Sequence, residues 1–469
     1  MNSSSWPAIP RESESLGSEL DLSRRLAQFF DERGYELYLV GGAVRDALLG
    51  AESQELDFAT SSPPAKTAEL LEEFGSHATY RIGEKFGTIG SVLGDRTVEV
   101  TTYRSREVYA TGSRKPVVEF GRTLEEDLSR RDFTINAIAS HPTTGTLIDP
   151  FHGAEDLRDG IVRAVGDPEQ RFAEDPLRLL RAVRFAARFR FEIEPGTRAA
   201  LGNGASALES ISRERIRDEY SRYLESDRPS AAFALLRDSG LLTKSVPELL
   251  QLDRMPDHGP NHPLSLWDHT MRVVDAVEPR LTLRWAALLH DIAKPATRTR
   301  EPDGRTRFFH HEMRGAEIAR RVLTGLRYPS TVVEAVTLLV ETHMQTHAFS
   351  AEWSDGALRR LCLRLGSYME EAILLARADA AGHSVDGSSL NSPKLDELER
   401  RLRELDSEQV QLLKSPLSGD DLMQRYGRPP GPWIREVKER LLDEVLEGNL
   451  EPSDQARAWE MADRLVSNG

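Results

Sequence analysis

Residues 38–60 read YLVGGAVRDALLGAESQELDFAT. An apolar run, Tyr38–Val40, enters Gly41-Gly42, and a short predicted helix carrying Arg45 and Asp46 follows. A second strand then presents Glu55 and Asp57 with one apolar residue between them. Strand side chains alternate faces, so the two carboxylates point the same way. Glycine lets backbone approach a phosphate closely. Two acids on one edge beside such a turn suit two-metal chemistry on a nucleotide. For E-x-D alone, a surface strand with two solvated acids is the ordinary reading. The GG-x-x-R-D element just upstream makes that a poor account of this stretch.

Further along, VEVTTY (98–103) adds a third acid, Glu99, which could join Glu55 and Asp57 around the metals. The cluster 125–137, EEDLSRRDFTINA, looks like a helix beginning. Its Arg131 and Asp132 could reach a sugar or phosphate, with Asn136 one turn on. Early acids followed by arginines are also ordinary matching to a helix dipole. Residues 174–178, EDPLR, lead into Arg181, Arg184 and Arg188. Arg178, Arg181 and Arg184 recur every three residues along one helical stripe with no acid among them. Such cations repel one another, which asks for an anionic ligand. Asp175 and Arg178 share a face one turn apart, and an acceptor beside a guanidinium donor can read a base edge.

The C-terminal half carries a second constellation. His290-Asp291 lies in WAALLHDIAKP, His269 in LWDHTMRVV, His311 in HHEMRGAEIA, His343 in LLVETHM and Asp379 in ARADAAGH. His and carboxylate donors suit Mg, Mn, Ni, Co or Fe better than a structural zinc, which favours Cys. A lone His-Asp pair is more often capping or packing; five such elements in order are not. His258, His262, His347 and His383 read as surface or supporting residues.

Composition sets bounds. The chain has 469 residues, 76 Asp+Glu against 61 Lys+Arg, and a net charge of −15. A globally basic nucleic-acid binder is excluded, so RNA contact must come from a local patch. The single cysteine, Cys362, sits in an apolar helical pattern and can form no intrachain disulfide, which fits a reducing cytoplasm. No apolar run nears the ~20 residues of a membrane span. Residues 1–18 read as a disordered lead-in. Helical periodicity covers 19–33, and strands are predicted near 36–41, 54–59, 87–93 and 96–103. The polar stretch 104–122 reads as a long mobile loop. After residue 150 helical patterns dominate, with loops near 192–205, 253–263, 300–307 and 384–393. The segment 395–465 reads as charged helix with a Gly/Pro break at 427–432.

Taken together, GGAVRD, ELDFAT, RRDFTINAIA, EDPLRLLRAVRF and ERIRDEYSRYL resemble the class II tRNA nucleotidyltransferase and poly(A) polymerase family over roughly residues 36–230. That resemblance implies an α+β chain: a polymerase-beta-like head at 19–150, then an all-α neck and body at 151–255. It implies tRNA 3′ ends, CTP and ATP as substrates, and Mg²⁺ at Glu55 and Asp57, with Glu99 beside them as a catalytic acid. Gly41, Gly42, Arg45, Asp46, Arg131, Asp132 and Asn136 become nucleotide-binding. Asp175 and Arg178 become a protein template choosing C or A, and Arg181 and Arg184 bind nucleotide or phosphate. The family usually has D-x-D at the metal strand. Glu55 departs from it, and its extra methylene moves the oxygen by about 1 Å or more.

Poly(A) polymerases tend to carry a G-R-R-F-type element where this chain reads YRIGEKFGTIG, which favours tRNA end repair. A full-length segment at 104–122 favours an enzyme that adds both C and A, with CC-only, A-only and poly(A) addition as alternatives. Residues 262–385 resemble an all-α HD-domain phosphohydrolase. His269, His290, Asp291 and Asp379 match its one-metal set, and His311 and His343 the extra ligands of two-metal forms; His310 is the alternative to His311. Residues 395–469 resemble the helical tail of nucleotidyltransferases that carry this domain. From another class, the rival reading is a phosphohydrolase whose head only recognises substrate; a non-catalytic RNA binder is the third. The expected partners are tRNA, CTP and ATP, with no DNA and no membrane.

Overall fold

The computed structural model describes residues 14–51, 53, 55–81, 83–109, 116–255, 264–302, 306–383, 392–405 and 407–467. The chain divides into two compact units, Met1–Pro247 and Glu248–Gly469.

The first unit begins with helix Glu14–Asp31. Nine strands follow: β1 (Leu37–Val40), β2 (Glu55–Thr60), β3 (Ala78–Tyr80), β4 (Thr88–Leu93), β5 (Arg96–Thr102), β6 (Arg104–Tyr109), β7 (Pro116–Phe120), β8 (Ala139–Ser140) and β9 (Leu147–Ile148). Seven of them form one mixed sheet in the order β3-β4-β5-β2-β1-β8-β9. Within it β2 and β5 run parallel and the other pairs antiparallel. A parallel pair needs a crossover. Helix Pro64–Phe74 supplies it, entering on prolines and leaving through the left-handed Gly75. Its buried face is Thr67, Ala68, Leu70 and Leu71.

Alternation decides which side of this sheet is chemical. In β2, Leu56 and Phe58 are buried, while Glu55 is exposed and Asp57 half-buried between them. In β5, Val98 and Val100 are buried and Glu99 between them is exposed. The parallel register sets Asp57 opposite Glu99. The apolar residues bury one face, and the acids are left together on the other.

Behind the sheet the unit is helical. Helix Leu177–Phe189 buries Leu179, Leu180, Ala182, Val183 and Phe185, and Arg178 with them, while Arg181 and Arg184 are half-buried and Arg188 is exposed. Tyr223 of helix Arg213–Leu224 donates to the Leu180 carbonyl at 2.8 Å, locking these two helices in register. In the second unit, helices Leu266–Ala276, Leu281–Leu289, His311–Gly325, Ser330–Ala348 and Met369–Gly382 surround the fully buried Trp285 and a polar centre. Helices Gly419–Tyr426, Pro432–Leu446 and Gln455–Ser467 close a separate small core of Leu422, Leu441 and Ala458. Among the described residues no helix is long and apolar enough to cross a membrane.

Several expectations need correction. The lead-in is shorter than 18 residues, because helix begins at Glu14; residues 1–13 lie outside the described set. The expected loop at 104–122 is the antiparallel hairpin β6–β7, anchored where the Arg104 amide donates to the buried Asp127 carboxylate at 3.2 Å. Neither strand, RSREVY nor PVVEF, alternates apolar with polar residues, which hid the β-pairing. Residues 192–205 are a strand, Glu192–Ile193, and helix Pro195–Gly204, which Glu194 caps by accepting from the Gly196 and Thr197 amides. The expected loop at 300–307 includes part of a hairpin, Arg298–Arg300 with Thr306–Phe308. His258, His262, Gly112 and most of the predicted loops at 253–263 and 384–393 lie outside the described residues.

One contact in this packing tolerates no side chain. A Cβ at Gly153 would sit 2.0 Å from the Thr134 carbonyl oxygen, a backbone atom. Gly153→Ala is therefore expected to destabilise by roughly 1–3 kcal/mol or more. The check is a lower urea midpoint at unchanged m-value; an unchanged midpoint would show that the helix at 153–159 shifts freely.

Candidate active site and metal centre

The head site forms where β2 meets the turn after β1. Gly41 has φ 66° and ψ −124°, a backbone shape that only glycine adopts readily. A Cβ there would lie 2.7 Å from Arg131 Nη1. The turn opens helix Gly42–Leu48, whose Arg45 is buried. Gly41, Gly42, Arg45, Glu55, Asp57, Arg131, Asp132, Asn136, Asp175, Arg178, Arg181 and Arg184 all line one cleft of about 500 Å³. Glu99 stands beside Asp57 on β5. Asp46 does not line the cleft; it accepts from Arg45 Nε at 2.8 Å and orients that arginine.

The acids of this edge are strained as a group. Burial lifts the Asp57 carboxyl above its ordinary range, Arg131 opposes this, and the Glu55 charge adds to it. Desolvation lifts Glu99 likewise, with Asp57 and Glu55 adding. Two carboxyls lifted by burial and by neighbouring acid charge belong to a set to which a bound cation restores charge balance. Glu55, Asp57 and Glu99 thus fit a divalent metal.

The arginine stripe differs from its expected form. Arg178, Arg181 and Arg184 are each compensated by an acid. Arg178 Nη1 donates to Glu174 at 2.9 Å, and its Nη2 to the Arg130 carbonyl at 2.9 Å. Arg181 Nε donates to Asp132 at 2.7 Å, and Arg184 Nε to the fully buried Glu219 at 2.8 Å. Of these acids, Asp132 and Glu219 come from elements distant in sequence, which is why the helix pattern alone showed repulsion. Asp175 and Arg178 do not bond through their side chains. Arg215 holds the Asp175 carboxylate with two bonds of 3.0 and 2.7 Å. Arg215, Glu174 and Glu219 were missed; the i,i+4 spacing of Glu174 to Arg178 was the one available signal.

Asp132 ties the site together. It accepts from Arg181, from Asn136 Nδ2 at 3.0 Å and from the Phe133 amide at 2.8 Å. Asn136 in turn accepts from Arg45 Nη1 at 2.6 Å. Burial pushes the Asp132 pKa up, but Arg181, Asn136 and Arg178 overrule it and hold it well below the carboxylate range.

The second unit brings all six predicted HD residues to one buried centre. His290, His311 and His343 each place Nδ1 on a backbone carbonyl, of Ala287, Phe308 and Val340, at 2.8, 2.8 and 2.7 Å. A carbonyl only accepts, so each ring carries its proton on Nδ1 and turns the Nε2 lone pair inward. Asp291 spans two groups. Its Oδ2 lies 3.2 Å from His290 Nε2 and 3.7 Å from His269 Nε2. Its Oδ1 lies 3.4 and 3.9 Å from His311 and His343 Nε2. Asp379 Oδ1 is 3.1 Å from His269 Nε2. Donor triads His269–His290–Asp291 and Asp291–His311–His343 are each compact enough for one ion. Without a cation the site is electrostatically uneasy. Burial lowers the His290 pKa, yet Asp291 and Asp379 drive it up to about 10, while burial pushes His343 down to about 3. The donor set fits divalent metal, with Asp291 placed to bridge two.

His347 and His383 are closer to this centre than expected. His347 Nε2 lies 2.7 Å from Asp379 Oδ2, and the His383 ring stacks on His269 at 4.2 Å. Lys294 was missed altogether; its Nζ sits 2.6 Å from Asp291 Oδ2. Its i,i+3 spacing from Asp291 could have revealed it.

Acids facing an arginine-lined cleft on a mixed sheet define a nucleotidyltransferase head, and the second unit holds an HD-type metal centre. Comparison with known proteins agrees. Residues 37–163 match the model of the poly A polymerase head domain, 190–252 that of the "Probable RNA and SrmB- binding site of polymerase A", and 261–381 the HD domain. A CC-adding tRNA nucleotidyltransferase of Thermus thermophilus is 34% identical over 90% of this chain and 93% of its own length. An A-adding tRNA nucleotidyltransferase of Deinococcus radiodurans is 33% identical over 90% and 94%. A crystal structure of the Bacillus stearothermophilus CCA-adding enzyme in complex with CTP superposes with a TM-score of 0.66 at 27% identity, covering 97% of this chain and all of that one. The chain belongs to the tRNA nucleotidyltransferase family, in its form with an HD domain behind the head.

Asp132 yields a stability prediction with a definite sign. Its folded pKa is depressed, so its contribution is complete above the unfolded value of ~3.9 and is lost as pH falls below it. Asp132→Asn should cost roughly 3–5 kcal/mol at pH 7, since it strands Arg181. The gap to the parent protein should narrow below about pH 4. Denaturant titrations at pH 7 and pH 3 check this; a gap that does not change with pH would assign the loss to packing.

Proposed function

We propose that this enzyme adds C, C and A to tRNA 3′ ends from CTP and ATP. The observation that carries the reading is the Glu55–Asp57–Glu99 edge facing a cleft lined by arginines. The RNA 3′ oxygen attacks the α-phosphorus; that P–O bond forms as the bond to the β-phosphate oxygen breaks and pyrophosphate leaves. Mg²⁺ held by Glu55 and Asp57 would acidify the attacking hydroxyl and neutralise the leaving group. Arg131, Arg181 and Arg184 hold triphosphate, and Gly41-Gly42 lets the backbone close on it. Asp175, steadied by Arg215, and Arg178 present an acceptor and a donor to the base edge.

Overall identity favours neither CC-only nor A-only relatives. Support for adding both comes from the complete strands of β6–β7, each of five or six residues, set against Asp127. The chain lacks the G-R-R-F element of poly(A) polymerases. A cytoplasmic site of action belongs to the same reading.

The HD centre reads as an accessory phosphohydrolase using Mg, Mn, Ni, Co or Fe. Bound metal would make a hydroxide available near neutral pH. Removing a 3′ phosphate or opening a 2′,3′-cyclic phosphate would return a damaged end to a form the head can extend.

Two substitutions test these assignments. Asp57→Ala should abolish incorporation on tRNA transcripts ending before CCA, after C and after CC, while tRNA affinity survives. Losing the ligand should cost several kcal/mol of transition-state stabilisation. Near-normal incorporation sinks the head assignment, and products ending uniformly at CC replace CCA with CC addition. Asp291→Ala should leave addition intact and remove phosphoester hydrolysis measured with Mn, Ni, Mg and Co. If the parent protein hydrolyses nothing with any of these metals, the HD centre is structural.

A further inference from the structure

Beside the HD centre lies a surface whose composition departs from the rest of this acidic chain. The hairpin Arg298–Arg300/Thr306–Phe308 reads RTR and TRF, with no acid on either strand. Cross-strand register puts Arg298 opposite Phe308 and Arg300 opposite Thr306, so Arg298, Arg300 and Phe308 share a face. Arg307 falls on the other face, with its guanidinium 5.9 Å from the Phe309 ring. Arg298, Arg300 and Arg307 are exposed and make no ion pair among the described residues. Some exposed arginines elsewhere in this unit are quenched, as where Arg400 meets Glu397, Arg403 meets Glu399 and Arg435 meets Glu439; others, such as Arg320 and Arg440, stand singly on helices, whereas the hairpin gathers three. The nearest acids in sequence are Glu301 and Asp303. Phe309 is 52% exposed and Met313 49%.

We propose that this hairpin, with Phe309, is a platform for single-stranded RNA that leads a 3′ end to the HD centre. The proposal rests on the hydrolase reading and narrows its substrate to an RNA terminus rather than a free phosphate ester. Unpaired guanidinium groups beside an open aromatic ring are what a single strand uses: charge for the backbone, a flat face for a base. An acidic peptide would satisfy the arginines and leave Phe309 and Met313 in water. The placement is direct. Lys294 Nζ lies 2.6 Å from Asp291 Oδ2 and 5.7 Å from the Phe308 ring. The metal-site residue His311 follows Phe309 by two positions, with its Nδ1 on the Phe308 carbonyl at 2.8 Å. A base stacked on Phe309 therefore sits at the rim of the centre that would act on its phosphate.

The test uses the full-length protein and a short RNA with 4-thiouridine next to a terminal 2′,3′-cyclic phosphate. After irradiation and trypsin, label should appear on the peptide Phe308–Arg314. It should fall by on the order of 10-fold in Arg307→Ala, where loss of the cleavage at 307 moves the label to the peptide Thr306–Arg314. In parallel, Phe309→Ala should raise KM for the RNA by on the order of 10-fold at unchanged kcat. It should leave hydrolysis of bis(p-nitrophenyl) phosphate, which has no base, unaltered. Label confined to peptides before residue 248 overturns the platform, as does an equal loss on both substrates in Phe309→Ala. If the parent protein hydrolyses neither compound, the hydrolase reading fails, and the cross-link by itself decides whether RNA docks on the hairpin.

Discussion

The head depends on one buried carboxylate and the bonds it accepts. Asp132 joins Arg181 of helix Leu177–Phe189 to Asn136, and Asn136 passes the connection to Arg45 of the helix after the glycine turn. Three elements far apart in sequence thereby share one hydrogen-bonded chain. Burying a charge without partners costs several kcal/mol, so the arrangement holds only when complete. Arg45 is further fixed between aromatic rings, 5.3 Å from Phe185 and 4.9 Å from Phe189. Those rings belong to the same helix that carries Arg181 and Arg184. The consequence is a cleft whose guanidinium groups are oriented before a nucleotide arrives. Little ordering entropy is then left to spend on binding.

What the sequence revealed and what it hid follow from the range of the interactions. The period-2 pattern of ELDFAT and TVEVTT states which side chains share a face, because alternation is a property of a single strand. It therefore placed Glu55, Asp57 and Glu99 together. The HD histidines were legible for another reason: a single His-Asp pair can cap or pack, but five His and Asp elements in order on apolar helices have few stable alternatives to ligation. Compensation across elements was not legible. Arg184 meets Glu219 across 35 residues, and Arg215 clasps Asp175 across 40. No local rule couples such positions. The hairpin β6–β7 escaped notice because β6 (RSREVY) is mostly polar and β7 (PVVEF) is a short unalternating run, so neither shows the hydrophobic alternation by which strands are found.

The two metal sites are built on opposite principles. The head offers carboxylates at an open sheet edge, hard donors that leave room for triphosphate oxygens in the coordination shell. The HD centre offers imidazoles buried to within a few per cent, three of them, His290, His311 and His343, with the tautomer set by a main-chain carbonyl. Softer nitrogen donors bind transition metals more firmly and favour a metal-bound hydroxide. Group transfer to a hydroxyl and hydrolysis by water thus call for different ligands. The chain keeps them in separate compact units, with ligands that share no element.

An acidic protein that handles RNA must concentrate its positive field. Here the arginines nearest the cleft are largely paired with acids, several of them buried, such as Asp127, Asp132 and Glu219, and what remains uncompensated marks where an anion is wanted. Arg188 and Arg190 line a second cavity, which shares Arg184, Arg188 and Arg222 with the cleft beside Glu55 and Asp57. Neither forms an ion pair among the described residues. Arg190 closes its helix in the left-handed region at φ 58°, a place usually given to glycine. With a net charge of −15, long-range attraction for RNA is weak, and salt screens it within about 10 Å. Binding must then arise at contact range, from the few cations that no internal carboxylate has claimed. This makes the pairing of Arg178, Arg181 and Arg184 with Glu174, Asp132 and Glu219 part of recognition: it tempers the positive field and fixes the guanidinium planes, so that contact geometry rather than long-range attraction selects the ligand.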